Sequence, residues 1–269
     1  MKTIGFVGAG NMARALAGGL GRGDHAGRYR LCATDPDANA LARFTAETGG
    51  ASASDVAALA AASDLIVIAV KPQVLGPLLP EIAPHLKPDH VILSIAAGIR
   101  LSTLAQGLGE GARIVRAMPN TPALVGQGMS VLVAGPNPSP DDVAMARAVL
   151  EAAGRVLVVD DEALMDAVTA VSGSGPGFVF AFAEAWLAGA EAVGLTADQA
   201  RSLVRQTLLG SAVLWDRSDE DVASLRAAVT SPGGTTQAGL EALAARGFAT
   251  AVRAALEAAT RRSRELSAG

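Results

Sequence analysis

The 269-residue sequence has one cysteine, three histidines, lysine only at positions 2, 71 and 87, and 3% aromatic residues. Each shortage excludes something. A lone thiol, Cys32, cannot build an internal disulfide framework and fits a reducing compartment. A net charge of −4 gives no electrostatic case for nucleic acid. No apolar run reaches the length of a membrane span without glycine or charge interrupting it. The first apolar run, residues 4–7, is too short for a signal peptide. The chain therefore reads as cytoplasmic, with no membrane and no nucleic-acid partner. What is abundant is small and apolar. Half the residues are hydrophobic, mostly Ala, Val and Leu, which favours closely packed helices and βαβ units over a β sandwich. The length allows one large domain or two modest ones.

Residues 3–7 form a short apolar run followed at once by Gly8-Ala9-Gly10-Asn11-Met12-Ala13 and an Ala/Leu helix to about Leu20. This is the G-x-G-x-x-G/A dinucleotide fingerprint in its strand–turn–helix setting. Gly8 permits the tight turn, Gly10 lets pyrophosphate approach the backbone, and Ala13 allows close helix–strand packing. Residues 28–34 predict the second strand, with Asp35 just past its end. An acid there can bond the ribose 2′-hydroxyl and repel a 2′-phosphate, which favours NAD; Asp35-Pro36-Asp37 also suits a helix start. Residues 64–70 predict a strand buried on both faces, and Lys71-Pro72-Gln73 follow at its ligand-binding end. Lys71 there either reaches a phosphate or ribose or is a solvated loop lysine. Residues 90–95 predict the next strand, leading to Ala96-Ala97-Gly98, small enough to leave room for a flat ring. Strands at 112–115, 129–133 and 155–159 complete a doubly wound α/β domain that ends near residue 161.

From Glu162 the pattern is helical. A helix over 163–171 is followed by a break at Ser172-Gly173-Ser174-Gly175-Pro176-Gly177, then by a long apolar helix over 178–193. Thr196-Ala197-Asp198-Gln199 is a capping box opening a helix to about Trp215. The 178–186 face is largely apolar and calls for burial against a partner subunit. A short helix near 219–228 leads into Thr230-Ser231-Pro232-Gly233-Gly234-Thr235-Thr236, and two helices finish the chain. A tight turn feeding a helix N-terminus gathers free amides, positive dipole and small hydroxyls at one point, which is a carboxylate site. Arg261, Arg262 and Arg264 read as solvated last turns of the final helix.

The predicted helical half contains neither His nor Lys. A dehydrogenase acting on an alcohol needs a base for the hydroxyl proton, and only Lys71 or a carboxylate such as Glu184 is on offer. A C=N bond has no such need, because an imine is basic enough to be protonated near neutrality. The inventory favours an imine substrate over a hydroxy acid.

At these motifs the chain resembles pyrroline-5-carboxylate reductases over nearly its whole length. The carrying segments are Gly5-Phe6-Val7-Gly8-Ala9-Gly10-Asn11-Met12-Ala13, Ala69-Val70-Lys71-Pro72-Gln73, Ser94-Ile95-Ala96-Ala97-Gly98 and Met118-Pro119-Asn120-Thr121-Pro122. Two more, Thr169-Ala170-Val171-Ser172-Gly173-Ser174-Gly175-Pro176 and Val229-Thr230-Ser231-Pro232-Gly233-Gly234-Thr235-Thr236, are the family-specific ones. The resemblance implies hydride transfer from NADPH or NADH to Δ1-pyrroline-5-carboxylate, giving L-proline. It implies a Rossmann-type domain over 1–161 and an all-helical substrate-binding and dimerisation domain over 162–269. It implies nucleotide binding by Val7, Gly8, Ala9, Gly10, Asn11, Met12, Thr34, Asp35, Ala69, Val70, Lys71, Pro72, Ile95, Ala96 and Ala97. Ser231, Gly234 and Thr235 would hold the substrate carboxylate, the Thr236 hydroxyl would face the ring nitrogen, and Asp219 is a further substrate contact. No metal is implied. Family members assemble as intertwined dimers, often five in a ring.

The chain departs from the family pattern in places. Thr34-Asp35 stands where an Asn–Arg or Ser pair reads a 2′-phosphate, Val56 replaces an asparagine near the adenosine, and Ala228 replaces one beside the cofactor. Two other readings compete: a hydroxyacid dehydrogenase of similar two-domain build, and a nucleotide-binding scaffold without turnover.

Overall fold

Strand-forming residues alternate with amphipathic helices through the first half of the chain, and the computed structural model folds them as one sheet covered on both faces. It describes residues 1–22 and 25–268. In order, these are β1 (Lys2–Val7), α1 (Asn11–Leu20), β2 (Tyr29–Thr34), α2 (Ala38–Thr48), β3 (Ala51–Ser52), α3 (Val56–Ala62) and β4 (Leu65–Ile68). Then come α4 (Leu75–Ile82), β5 (Val91–Ser94), α5 (Leu101–Leu108), β6 (Arg113–Met118), β7 (Gly128–Ala134), α6 (Pro140–Glu151) and β8 (Gly154–Val158). The helices that follow are α7 (Met165–Val168), α8 (Gly175–Ala192), α9 (Ala197–Arg217), α10 (Val222–Ala228), α11 (Thr235–Ala245) and α12 (Phe248–Ala268).

The strand order is β3-β2-β1-β4-β5-β6-β7-β8. Neighbours are parallel except β6 and β7, which run antiparallel. Their connection, residues 119–127, is shorter than the roughly dozen residues a parallel crossover requires. The order reverses between β1 and β4, the switch point beside which doubly wound sheets bind ligands. Alternation divides the core in two. Phe6, Val67, Leu93 and Val115 face α1, α2 and α6, whereas Ile66, Ile68, Ile92 and Ile114 face α3, α4 and α5. Strands wet on neither face read as continuous apolar runs, which is why β4 and β5 were legible.

Two sequence expectations need correction. The strand expected over 64–70 is shorter, Leu65–Ile68, although Ala69 N–H still donates to Val7 O (2.8 Å). The Ser172–Gly177 break narrows to a bend at Ser174. The chain passes from α7 through a π-helical turn, Thr169–Gly173, and that one residue into α8, with Pro176 in the first turn where its missing amide costs nothing. The last strand ends at Val158, just before the boundary expected near 161, while compactness divides the chain at another place. One unit comprises residues 1–176 and 259–269, and the other residues 177–258. The second unit is entirely helical, with the Thr196/Gln199 capping box formed as expected. Its only buried apolar side chains are Ala190, Ala200 and Val204, while Phe180 is 66% and Trp215 58% exposed. A helical unit that hides so little of its own apolar surface is completed by another surface.

Candidate active site

At the carboxyl edge of the sheet, backbone bonds tie the ends of three strands together. Gly8 N–H donates to Thr34 O (2.9 Å), Ala69 N–H to Val7 O (2.8 Å) and Ile95 N–H to Ile68 O (3.1 Å). Gly8 has φ +99°, and a Cβ there would lie 2.8 Å from Ala69 O, so only glycine makes this turn. Gly10 differs: a Cβ would meet nothing within 4 Å. The protein alone does not require glycine there, but a group drawn close to the backbone does. Gly10 is also the N-cap of α1 and no side chain caps that helix, so the amides of its first turn are left for an anion. An open cradle at an uncapped helix start fits a diphosphate.

The remaining nucleotide candidates surround that cradle. Ala9 is buried, and its N–H donates to Asp35 Oδ2 (2.7 Å), while Asp35 Oδ1 accepts from Asp37 N–H (2.9 Å). Both oxygens are anchored, so the carboxylate is fixed at the end of β2; the helix start itself is capped by Asp37 instead. Asn11 is exposed and its Oδ1 accepts from Arg14 Nη2 (2.9 Å). Met12, Thr34, Val70, Pro72, Ile95 and Ala97 are half-buried, Ala96 is buried, and Lys71 is exposed.

The Ser231–Thr236 turn lies in the second unit. Gly233 adopts φ +69° and Gly234 N–H donates to Ser231 O (3.0 Å), closing the turn. Gln237 reaches back, its Oε1 accepting from Gly233 N–H (2.8 Å). A Cβ on Gly234 would lie 2.5 Å from Ser231 Oγ, so glycine lets that hydroxyl sit over the helix start. Gly234 caps α11 without a side chain, leaving the amides of Thr235 and Thr236 at an open N-terminus. This is the arrangement anticipated for a carboxylate. Asp219 is exposed in the loop between α9 and α10, and no hydrogen bond or ion pair joins it to the turn.

The basic inventory lies elsewhere. His25, His85 and His90 all precede strands, at the amino edge of the sheet opposite the cradle. His90 is buried, with Nδ1 accepting from Lys87 N–H (3.0 Å); burial and then the Lys87 charge hold its imidazole below the ordinary value. Glu184 is exposed on α8. Among the described residues no cluster of His, Cys, Asp and Glu could hold a metal.

Known proteins match this chain along its whole length. It is 43% identical to pyrroline-5-carboxylate reductase of Pseudomonas aeruginosa over 264 residues, covering 98% of this chain and 96% of that one. The chain belongs to the pyrroline-5-carboxylate reductase family. Residues 162–266 match the family model described as pyrroline-5-carboxylate reductase dimerisation. Residues 3–98 match that described as NADP oxidoreductase, coenzyme F420-dependent. The solved pyrroline-5-carboxylate reductase of Coxiella burnetii superposes with a TM-score of 0.93 at 35% identity, covering 99% of this chain and 98% of that one. The pyrroline carboxylate reductase of Plasmodium falciparum, solved with NADP bound, gives 0.86 at 32% identity over 99% and 98%.

Two motifs by which the pyrroline-5-carboxylate reductase family was recognised meet in space. Asn120 Nδ2 donates to Ser172 O (3.3 Å) and Oγ (3.2 Å), while its Oδ1 accepts from Met129 N–H (2.9 Å). Met118 packs so closely on Gly173 that a Cβ there would lie 2.5 Å from the methionine methyl. The π-helical turn is thus pinned to the β6–β7 connection. Sequence reasoning read both motifs but not their contact, and it missed the Arg116–Glu162 pair altogether (2.6 Å). Forty-six positions separate that pair, and no local pattern announces it.

Proposed function

We propose that this chain transfers hydride from NADH or NADPH to the C=N bond of Δ1-pyrroline-5-carboxylate, giving L-proline, the last step of proline biosynthesis. One observation carries the reading. The chain has two uncapped helix starts behind glycine turns, α1 with an open cradle at Gly10 and α11 with hydroxyls at Ser231, Thr235 and Thr236. The first suits a diphosphate and the second a carboxylate.

When bound, the reduced nicotinamide supplies the hydride. The amides following Gly10 would hold the diphosphate, Asp35 would receive the ribose hydroxyls, and Ala96 and Ala97 would leave space for a ring beside Ile95. Lys71, exposed at the end of β4, adds a positive charge. The amides of Thr235 and Thr236, with Ser231 Oγ, hold the substrate carboxylate. Thr236 Oγ accepts the N–H of the protonated ring nitrogen and so aims the C=N carbon. That nitrogen takes the π pair as the carbon takes hydride, and it already carries its proton, so no base is required. The absence of His and Lys from residues 162–269 agrees with this and disfavours a hydroxyacid dehydrogenase. Asp219 is a peripheral substrate contact at most.

The division of labour follows: residues 1–161 bind nucleotide, and residues 162–269 bind substrate and self-associate. The exposed apolar side chains of α8 and α9 supply the dimer surface. The enzyme works in the cytoplasm. In support, its one thiol, Cys32, is buried and forms no disulfide. The fixed Asp35 carboxylate favours NADH.

Thr236→Ala tests the mechanism. Loss of one transition-state hydrogen bond lowers kcat by about 10- to 100-fold, with nucleotide affinity unchanged. Unchanged turnover would remove Thr236 from the mechanism.

A further inference from the structure

Glu162 stands just past β8, at the entrance to a 3-10 turn (Glu162–Leu164), and is tied to two distant elements. Its Oε1 accepts from Leu101 N–H (2.8 Å) and from Arg116 Nη1 (2.6 Å). Leu101 opens α5, whose own N-cap, Arg100, provides no side-chain acceptor. Glu162 therefore caps α5 from 61 positions away. Arg116 projects from the neighbouring β6 with its side chain 5% exposed, a buried cation whose counter-charge is this same carboxylate.

The loop held in this way is residues 95–100, between β5 and α5. Its first end is fixed to the sheet by Ile95 N–H and Ile68 O (3.1 Å). Its turn at Gly98, with φ +73°, rests against Leu266 and Ser267 near the end of α12. Its last end packs Ile99 and Leu101 on the core and is hydrogen-bonded across the fold by Glu162. We propose that Glu162 is a positioning residue for the nucleotide: by capping α5 it fixes the loop that presents Ile95, Ala96 and Ala97, and Arg116 holds the carboxylate in place to do so. This rests on the reading that puts the nicotinamide end of the nucleotide beside those three residues.

The two bonds at Glu162 are separable. Glu162→Gln still offers a carbonyl oxygen to Leu101 N–H but leaves Arg116 without its counter-charge. Glu162→Ala removes both. NADH and NADPH binding to the full-length protein is measured by calorimetric titration, beside melting temperature and substrate KM. In Glu162→Ala the nucleotide Kd rises about tenfold while substrate KM stays within about twofold. In Glu162→Gln the Kd returns to within about threefold of the parent although melting temperature stays depressed. A merely structural role would make Kd follow melting temperature through both variants, and that result, or a parental Kd in Glu162→Ala, overturns the proposal. Should Glu162→Ala not fold, the double variant Arg116→Met with Glu162→Ala removes the buried charge yet leaves α5 uncapped. The same rise in Kd is expected there, and a parental value overturns the proposal equally. Gly10→Asp separates the two readings, since its Cβ has open space and its charge opposes a diphosphate. Normal binding by Gly10→Asp would refute the nucleotide site and this inference with it. Lost binding there, beside normal binding in Glu162→Ala, would refute this inference alone.

Discussion

Replacing Asp35 should move nucleotide preference from NADH toward NADPH, and the structure bounds the size of the change. Both carboxylate oxygens are tied to backbone amides, at 2.7 Å to Ala9 and 2.9 Å to Asp37, so the charge cannot swing away from an incoming 2′-phosphate. A phosphate carrying about two charges roughly 6 Å away, at an effective dielectric of about 40–80, is opposed by about 1.4–2.8 kcal/mol. The ratio of kcat/KM for NADPH over NADH should therefore rise about 10- to 100-fold in Asp35→Ser. The same substitution strips acceptors from the Ala9 amide in the phosphate turn and the Asp37 amide at the start of α2, at a cost of about 1–3 kcal/mol in stability. Asp35→Asn, neutral and nearly isosteric, keeps one acceptor and should shift the ratio in the same direction with less loss of melting temperature. Initial rates of nicotinamide oxidation with each nucleotide, at saturating substrate, give the ratio. Folded variants with the parental ratio would refute the electrostatic argument.

Gly234→Ala drives a methyl onto Ser231 Oγ, at 2.5 Å, and should raise substrate KM about tenfold while nucleotide Kd stays within about twofold. Phe180→Asp puts a charge on an apolar face, at a residue 66% exposed in the protomer; sedimentation should show a shift to monomer, and an unchanged assembly would place the interface elsewhere. His90 titrates below its ordinary value of 6.5, chiefly through burial and then the Lys87 charge, so the folded state favours neutral imidazole. Its stabilisation is complete above about pH 6.5 and is lost as pH falls through the folded value. Melting temperature should therefore decline toward about pH 5, and His90→Asn should flatten that decline.

The centre of the sheet was legible because its strands β4 and β5 are buried on both faces. Runs such as Leu65-Ile66-Val67-Ile68, bounded by Asp64 and a loop, admit few other readings. The two-residue β3 carries no pattern at all, since Ala51 and Ser52 are both exposed and pair only through backbone. Glycine and proline misled at residues 172–177. Gly-Ser-Gly-Pro usually breaks a helix, but the bonds from Asn120 to Ser172 and the packing of Met118 on Gly173 hold the π-helical turn. Of the candidate site, the two turns could be read locally, because glycine spacing encodes an uncapped helix start. Glu162 could not, since its partners Leu101 and Arg116 lie on other elements and meet only once the sheet has formed.

The most direct measurement is nicotinamide oxidation by the purified protein with Δ1-pyrroline-5-carboxylate, run in parallel with NADH and NADPH and followed to L-proline. Turnover with either nucleotide, and higher efficiency with NADH, is the predicted result. Protein that binds nucleotide yet forms no L-proline with either one would contradict the account.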